Sequence, residues 1–381
     1  MPNNENETES ILLVDDNPTN LQVLFQTLEG RGYKLLIAKN GETALSIAQK
    51  AHPDLILLDI MMPIMDGLTV CRQLKSDPAM PFIPIILVTA KSDTKDVVAG
   101  LEAGGDEYLT KPVEHAALVA RVKSMLRFKA LHDQVLEQSV QLEKQLEAAT
   151  KVQRLFWPEI PKMEAGSNVW AISIPASYVG GDLYDVIKLQ DGGWLLYVAD
   201  VVGKGVPAAL IMAALSTKIR SEVILQNKID HLIKTVNNVM YNLMTGEDYF
   251  ATIILGRYWP SNGKMRLVIC GHLQPLWIVK KGFKELPLLK GISLGVKPNA
   301  QYEKIEITIS PGESLLFFSD GVVEAENEQK ELFGNERLTN YIINANGPPW
   351  GEGVLDKIRN WRGNAKANDD LTLLEIWRDP Q

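Results

Sequence analysis

The sequence predicts an α/β domain on a doubly wound, five-stranded parallel sheet, then a long helix, then an α+β layered sandwich. Three observations predict this. Over residues 11 to about 126, short continuously apolar runs alternate with helical patterns, as strands buried on both faces do. From Glu114 to Trp157 there is neither Pro nor Gly. Beyond that, apolar segments are divided by the turn sequences Asp191-Gly192-Gly193 and Ser261-Asn262-Gly263, which favour antiparallel hairpins.

Ile11 to Val14 is the first strand. Asn17-Pro18 then reads as an N-cap with Pro at the first helical position, followed by Leu21, Leu24, Phe25 and Leu28 at helical spacing. Lys34 to Ala38 is the next strand, Glu42 to Ala51 the next helix, and Leu55 to Leu58 a fully buried strand. Ile85 to Val88 and Glu107 to Leu109 complete the five. In such a sheet, residues just past the carboxyl ends of the strands line the site. Asp15, Asp16, Asp59, Thr89 and Lys111 all fall there.

In the long helix, Phe128, Val135, Leu142, Ala149 and Phe156 recur every seven residues, with Leu131 and Val152 at the companion positions. The pattern is coiled-coil-like, although Gln138 and Gln145 interrupt the second apolar column. It predicts dimerisation or signal transmission along the helix; packing on its own domain is the plainer alternative. Pro158 and Pro161 stop the helix.

The C-terminal part offers strand-like runs at Trp170 to Ile174, Leu183 to Leu189, Trp194 to Ala199, Ala251 to Tyr258 and Lys264 to Ile269. Further runs follow at Leu276 to Val279, Glu303 to Ile309, Leu315 to Phe318 and Leu371 to Trp377. Two helical stretches, Ala208 to Leu225 and Leu232 to Leu243, interrupt them. The expected division is a disordered N-terminus over 1–10, an α/β domain over 11–126, a coiled-coil-like helix over 127–157 and the second domain over 158–381.

A chain of 381 residues is too long for one ordinary core. Its 46% hydrophobic and 23% charged residues describe globular protein rather than disorder. A net charge of -8 argues against a nucleic-acid surface. No apolar run approaches the ~18 residues of a membrane span, and the polar, acidic Met1 to Ser10 resembles no signal or transit segment. Cys71 and Cys270 read as small buried residues of a reducing compartment. The expected address is the cytoplasm, with neither nucleic acid nor membrane as partner.

Carboxylates gathered at strand ends are ligands for hard metal ions, which phosphoryl chemistry needs to neutralise charge. Asp15, Asp16 and Asp59 form one such set; Asp200, Asp320 and Asp369 form another. Two sites suggest one that receives a phosphoryl group and one that removes it.

Leu13-Val14-Asp15-Asp16-Asn17, Leu58-Asp59-Ile60-Met61-Met62-Pro63 with Asp66-Gly67, Val88-Thr89-Ala90 and Lys111-Pro112 closely resemble the receiver domain of two-component response regulators, a flavodoxin-like fold. The resemblance implies that Asp59 takes phosphate from a sensor histidine kinase. It implies a Mg²⁺ ion held by Asp16, Asp59 and the backbone carbonyl of Met61, with Asp15 acting mainly through water. Lys111 would hold phosphoryl oxygens, and Thr89 and Tyr108 would be the switch residues. His52, His115 and His132 receive no role.

Gly180-Gly181-Asp182-Leu183-Tyr184-Asp185, Val198-Ala199-Asp200-Val201-Val202-Gly203-Lys204-Gly205, Phe318-Ser319-Asp320-Gly321 and Asn368-Asp369-Asp370-Leu371-Thr372 resemble the bacterial, SpoIIE-like branch of the metal-dependent (PPM, type 2C) protein phosphatases. The resemblance extends to Gly271-His272, Glu324-Ala325 and Leu332-Phe333-Gly334. It implies an αββα sandwich in which Asp200 bridges two Mn²⁺ or Mg²⁺ ions and the carbonyl of Val201 completes one of them. Asp320 and Asp369 would hold the second ion, with Asp182 and Asp185 orienting water from behind. Lys204 stands where many eukaryotic relatives carry a histidine suspected of protonating the leaving group, and their phosphate-gripping arginine has no counterpart here. His272 is expected to pack rather than catalyse.

The resemblance as a whole implies a response regulator whose phosphorylated Asp59 controls a phosphoserine/phosphothreonine phosphatase. Its substrate would be a phosphorylated STAS-type anti-sigma-factor antagonist in a bacterial partner-switching pathway, and the long helix would form a homodimer. A catalytically silent adaptor under receiver control is the rival reading; retention of Asp200, Asp320 and Asp369 speaks against it. A DNA-binding regulator would need a basic helix after residue 150, which the sequence lacks.

Overall fold

The computed structural model describes residues 8–89, 94–225, 228–280, 282–289, 291–345 and 347–380. The stretch 1–7 and Ala90 therefore lie outside the described residues. The chain divides into two compact units between Leu142 and Glu143.

The first unit contains β1 (Ser10–Val14), α1 (Pro18–Leu28), β2 (Lys34–Ala38), α2 (Gly41–Ala51), β3 (Leu55–Asp59), α3 (Gly67–Ser76), β4 (Ile85–Thr89), α4 (Thr94–Glu102) and β5 (Glu107–Thr110). Helix α5 (His115–Gln153) begins here and runs on into the second unit. The strands form one sheet in the order β2-β1-β3-β4-β5, and every pair is parallel. Strands β3 and β4 are buried at every residue, which is why they read as unbroken apolar runs. One face packs Leu12, Val14, Ile56 and Leu58 against α2 and α3. The other packs Ile11, Leu13, Leu55 and Leu57 against α1 and the start of α5 through Leu118, Val122 and Leu126. Asn17 caps α1 by accepting from Thr19 N at 2.9 Å, with Pro18 in the first turn.

The second unit contains β6 (Ser167–Ile174), β7 (Leu183–Lys188), β8 (Trp194–Val201), α6 (Val206–Leu225), α7 (Ile229–Met244), β9 (Ala251–Trp259), β10 (Lys264–Cys270), β11 (Leu276–Val279) and β12 (Gly282–Lys284). It continues with β13 (Lys304–Thr308), β14 (Ser314–Phe318), α8 (Asp320–Val323), α9 (Gly334–Asn344), α10 (Trp350–Arg362) and β15 (Leu371–Arg378). Two antiparallel sheets, β13-β10-β9-β8-β7 and β12-β11-β14-β15-β6, form the inner layers. Their facing side chains, among them Tyr184, Leu196, Tyr258, Phe317 and Leu374, make the central core. Helices α6 and α7 cover the outer face of the first sheet through Met212, Ile219 and Val236. Helices α8, α9 and α10 cover the second through Val322, Leu338 and Ile358. The result is an αββα sandwich.

Helices α9 and α10 and strand β12 are absent from the sequence reading. Gly351 and Gly353 lie inside α10, where an added Cβ would fall 2.3 Å from the Trp170 ring and 1.6 Å from the Tyr341 hydroxyl. Helix-breaking composition here serves close packing, so propensity misreads the segment. The long helix also ends earlier than Trp157: α5 stops at Gln153 and a single 3-10 turn, Arg154–Phe156, follows.

One buried acid belongs to neither set of expected site residues. Glu375, on β15, accepts from Ser314 Oγ at 2.8 Å and Gly351 N at 2.9 Å. Burial nevertheless pushes its carboxyl up to about 7 from an ordinary 4.5. The folded chain thus favours the protonated acid, so the contribution of this group to stability is fully present below about 4.5 and is lost as pH rises through about 7. Glu375→Gln should remove this dependence and gain on the order of 2–3 kcal/mol over wild type at pH 8, with little gain at pH 4.5. Urea midpoints of the second unit at the two pH values measure it; equal differences would refute the assignment.

Candidate functional sites

In the first unit the site is built at the carboxyl ends of β1, β3, β4 and β5, which parallel pairing brings to one edge. Asp15 follows β1, Asp59 ends β3, Thr89 ends β4, and Lys111 follows β5. Asp15, Asp59 and Thr89 are buried, whereas Asp16 is exposed. Oxygens of Asp15, Asp16 and Asp59 all lie within 4.8 Å of one another. Lys111 Nζ reaches across to Asp59 Oδ1 at 2.7 Å and Asp15 Oδ2 at 2.8 Å. Asp15 Oδ1 also accepts from Asn17 N at 2.9 Å and Asn20 Nδ2 at 3.1 Å.

Burial raises the Asp59 carboxyl; the Lys111 contact opposes this, and the Asp15 and Asp16 charges add to it. One lysine does not balance three acids, so the donor set fits a divalent cation, with Asp59 left able to carry a phosphoryl group. The structure brings Asp15, Asp16, Asp59 and Lys111 together, and Thr89 ends the neighbouring strand at the same edge. Tyr108 is half-buried on β5, with the Arg121 guanidinium 5.9 Å from its ring centroid.

In the second unit four segments converge. Strand β8 pairs Asp200 with Thr252 of β9, and Asp182 immediately precedes β7, whose Leu183 pairs with Ala199. Asp320 opens α8 just after β14, and Asp369 precedes β15, which pairs with β14. Burial, then the charges of Asp320 and Asp369, push the Asp200 carboxyl up to about 7. Burial and the Asp369 charge raise Asp320. Asp182 is raised well above the carboxylate range by burial and by Asp200 and Asp370, and its buried Oδ2 lacks a hydrogen-bond partner. An orphaned carboxylate oxygen inside a crowd of acids is what a cation site presents when its charge is not balanced.

Among the described residues, only the first cluster brings three acids within 4.8 Å. The second is more open, as two ions some ~4 Å apart require. Backbone approach is equally specific: a Cβ on Gly181 would fall 2.6 Å from the carbonyl oxygen of Val201. That glycine leaves room for the carbonyl expected to serve a metal.

Asp185 is a correction. It is fully buried, but on β7 opposite Tyr197 rather than beside Asp200. Its Oδ2 accepts from Arg220 Nε at 2.7 Å and Tyr197 Oη at 3.2 Å, and its Oδ1 from Val186 N at 2.8 Å. It holds α6 to the sheet, with both oxygens engaged by Arg220, Tyr197 and Val186.

Asp370 is the residue that sequence reasoning left without a role. Its Oδ2 accepts from Gly181 N at 2.7 Å and Asp182 N at 3.3 Å, and its Oδ1 from Ala176 N at 2.8 Å. The doubled acid of Asp369-Asp370 was the available signal: one faces the cluster, its neighbour holds the loop. Lys204 Nζ stands 3.6 Å from Asp369 Oδ2 and donates to the carbonyl of Asn368. Enclosure drops His272 to about 4, so it is neutral, with Nδ1 2.6 Å from Thr252 Oγ1.

The fold and sites thus define a signalling protein with one acidic pocket suited to accept a phosphoryl group and another suited to metal-assisted hydrolysis. Comparison with known proteins gives the family. Residues 11–123 match the response regulator receiver domain and residues 190–379 match Stage II sporulation protein E (SpoIIE); the chain belongs to the receiver family in its first unit and to the SpoIIE family of PP2C-type domains in its second. Response regulator PleD of Caulobacter vibrioides is 46% identical over 125 residues, which are 33% of this chain and 28% of PleD. The chain therefore spans little more than a quarter of that relative. The SiaA-PP2C domain of Pseudomonas aeruginosa superposes with a TM-score of 0.55 at 19% identity, over 64% of this chain and 99% of that one. The RsbU and RsbW domains of a Mycobacterium tuberculosis protein give 0.50 at 23% identity, over 59% and 62% of the two chains. At these identities the structural likeness speaks for fold.

Metal binding should stabilise each unit. With Mn²⁺ at a hundredfold excess over its dissociation constant, the second unit should gain ~2.7 kcal/mol. Asp320→Asn should lose most of that gain without losing stability in a chelator. Thermal melts with and without Mn²⁺ test this; an equal gain in the variant would contradict it.

Proposed function

We propose that the second unit is a metal-dependent protein serine/threonine phosphatase and that phosphorylation of Asp59 controls it. The observation carrying this reading is the convergence of Asp182, Asp200, Asp320 and Asp369 from four segments, with carboxyls raised at three of them. Two divalent ions, manganese or magnesium, would be held by Asp200, Asp320, Asp369 and the Val201 carbonyl. When bound, they supply charge neutralisation at phosphorus and acidify water.

The chain's own residues do the remainder. Asp182 orients from behind the cluster, Asp370 fixes the loop that carries it, and Lys204 adds a positive charge at the rim. His272, held neutral, braces Thr252 opposite Asp200 and gives no proton. With Lys204 mostly exposed, substrate recognition relies on docking of a whole phosphoprotein more than on a phosphate grip.

In the first unit, Asp59 takes the phosphoryl group from a sensor histidine kinase; Asp16, Asp59 and the Met61 carbonyl would hold a Mg²⁺ ion, which would supply charge neutralisation at phosphorus. Lys111 exchanges its carboxylate partners for phosphoryl oxygens, and Thr89 and Tyr108 respond. Membership of the SpoIIE family supports a STAS-type anti-sigma-factor antagonist as substrate, in the cytoplasm of a bacterium. No described helix is long and apolar enough to cross a membrane.

Helix α5 supports a homodimer. Phe128, Leu131, Val135, Leu142 and Val152 are all about half exposed or more along it, an apolar column that a second copy would cover. Domain limits of 11–126, 127–157 and 158–381 fit this assignment of roles.

Hydrolysis of an aryl phosphate should require Mn²⁺ and fall at least ~100-fold in Asp200→Ala. Manganese-dependent turnover unaffected by that change would end the enzymatic reading. Separately, Asp59→Asn should abolish the response of the rate to a small-molecule phosphodonor while leaving the unstimulated rate near wild type. A full response in that variant would defeat control through Asp59.

A further inference from the structure

We propose that Gln153, in the last turn of α5, is a positioning residue for the second metal site, and that α5 sets the readiness of that site through it. The inference rests on the phosphatase reading above and adds its point of control. Gln153 is 5% exposed, on a helix that is otherwise exposed nearly throughout residues 130–148. Its Nε2 donates to the carbonyl of Gly180 at 2.6 Å, and its Oε1 accepts from Gly180 N at 3.2 Å. One side-chain amide therefore holds both backbone groups of a single residue, as a neighbouring strand would. One turn earlier, Thr150 Oγ1 donates to the carbonyl of Tyr178 at 2.5 Å.

The same loop is held from its other side. Asp370 accepts from Ala176 N, Gly181 N and Asp182 N. No side chain fits between: a Cβ on Gly180 would fall 2.0 Å from Asp370 Oδ2. The loop 176–182 is thus clamped between α5 and the residue next to Asp369. It delivers Asp182, whose buried Oδ2 has no hydrogen-bond partner, to the acidic cluster. Successive helix residues are turned ~100° apart, so rotation of α5 by a fraction of that withdraws the Gln153 amide from Gly180. Gly180 would then have its N–H and carbonyl unpaired in a buried setting, a state that favours moving the loop.

A glutamine that only satisfies buried backbone would affect stability alone. A positioning residue affects metal affinity and control as well. The variant Gln153→Met keeps length and apolar contact but neither hydrogen bond. We expect calorimetry to show Mn²⁺ affinity falling about 10-fold, with the melting temperature in chelator within ~3 °C of wild type. Saturating Mn²⁺ should restore most of kcat on an aryl phosphate. The ratio of rates with and without beryllofluoride, a phosphoryl mimic for Asp59, should fall toward one. Wild-type Mn²⁺ affinity and a wild-type ratio in the variant would overturn the proposal.

Should Gln153→Met unfold, Thr150→Val removes the adjacent bond to Tyr178, together with a bond to Leu146 O within the helix, and leaves Gln153 in place. It should shift Mn²⁺ affinity in the same direction by a smaller factor, and an unshifted affinity there would equally overturn it. Failure of the phosphatase reading looks different. Wild type would then bind Mn²⁺ and hydrolyse nothing, while Gln153→Met would still weaken the metal and so uphold the positioning role.

Discussion

Both units depend on the mutual repulsion of carboxylates forced together at strand ends. Two unit charges 4 Å apart repel by ~4 kcal/mol at an effective dielectric near 20, and each cluster holds at least three acids. The units answer this differently. In the first, Lys111 bridges Asp15 and Asp59 directly, so the pocket is partly balanced before any metal or phosphoryl group arrives. In the second, Lys204 is largely exposed and touches only the edge of the cluster. The imbalance there shows in the Asp200 carboxyl, which burial and the charges of Asp320 and Asp369 push up to about 7. A site partly balanced by its own lysine is suited to exchange one partner for another, as an acceptor must. A site that remains unbalanced is suited to hold permanent cations.

The neighbours of each cluster follow from the same constraint. Crowded acids remain in place only where the backbone carrying them is fixed. Asp15 is fixed by donors from Asn17 and Asn20. The loop before Asp182 is fixed by three backbone N–H groups converging on Asp370. Asp185 shows the contrast. It is as deeply buried as any acid in the molecule, yet the Arg220 guanidinium and Tyr197 hydroxyl leave it no charge to offer. Its neutralised state marks it as an internal tie between sheet and helix. Burial alone therefore does not identify a metal ligand; crowding with other acids does, and Asp185 lacks it.

The legible parts of the chain were those where one periodicity dominated. The five parallel strands announced themselves as apolar runs because both faces are covered, and the order of Asp15, Asp59, Thr89 and Lys111 followed from sheet topology. Most antiparallel strands of the second unit were legible to within two residues, but β6 begins three residues before the expected Trp170 and β12 was not read at all. What escaped was set by contacts between distant segments. Helix α10 carries glycines because Trp170 and Tyr341 occupy the space of their missing side chains, and nothing local records those rings. Asp185 was misplaced because three residues along a strand is a short step in sequence but ~10 Å in space. Nothing local in the sequence sets Gln153 apart from the other polar residues of the helix, because its burial depends on a loop 27 residues away.

Helix α5 combines these two kinds of information. Its 39 residues span ~58 Å, and they carry an apolar column too exposed for a helix that has finished packing. An isolated helix gains little from propensity alone, and most helical stability comes from covering an apolar face. Whatever covers the column therefore decides how firmly the helix is held, including its last turn. That last turn ends in a neutral amide rather than a charge. A carboxylate at position 153 would add to the repulsion of the nearby acids, and an ammonium would compete with a metal for them. Glutamine couples the helix to the loop through hydrogen bonds alone, leaving the charge of the cluster to be settled by its ions.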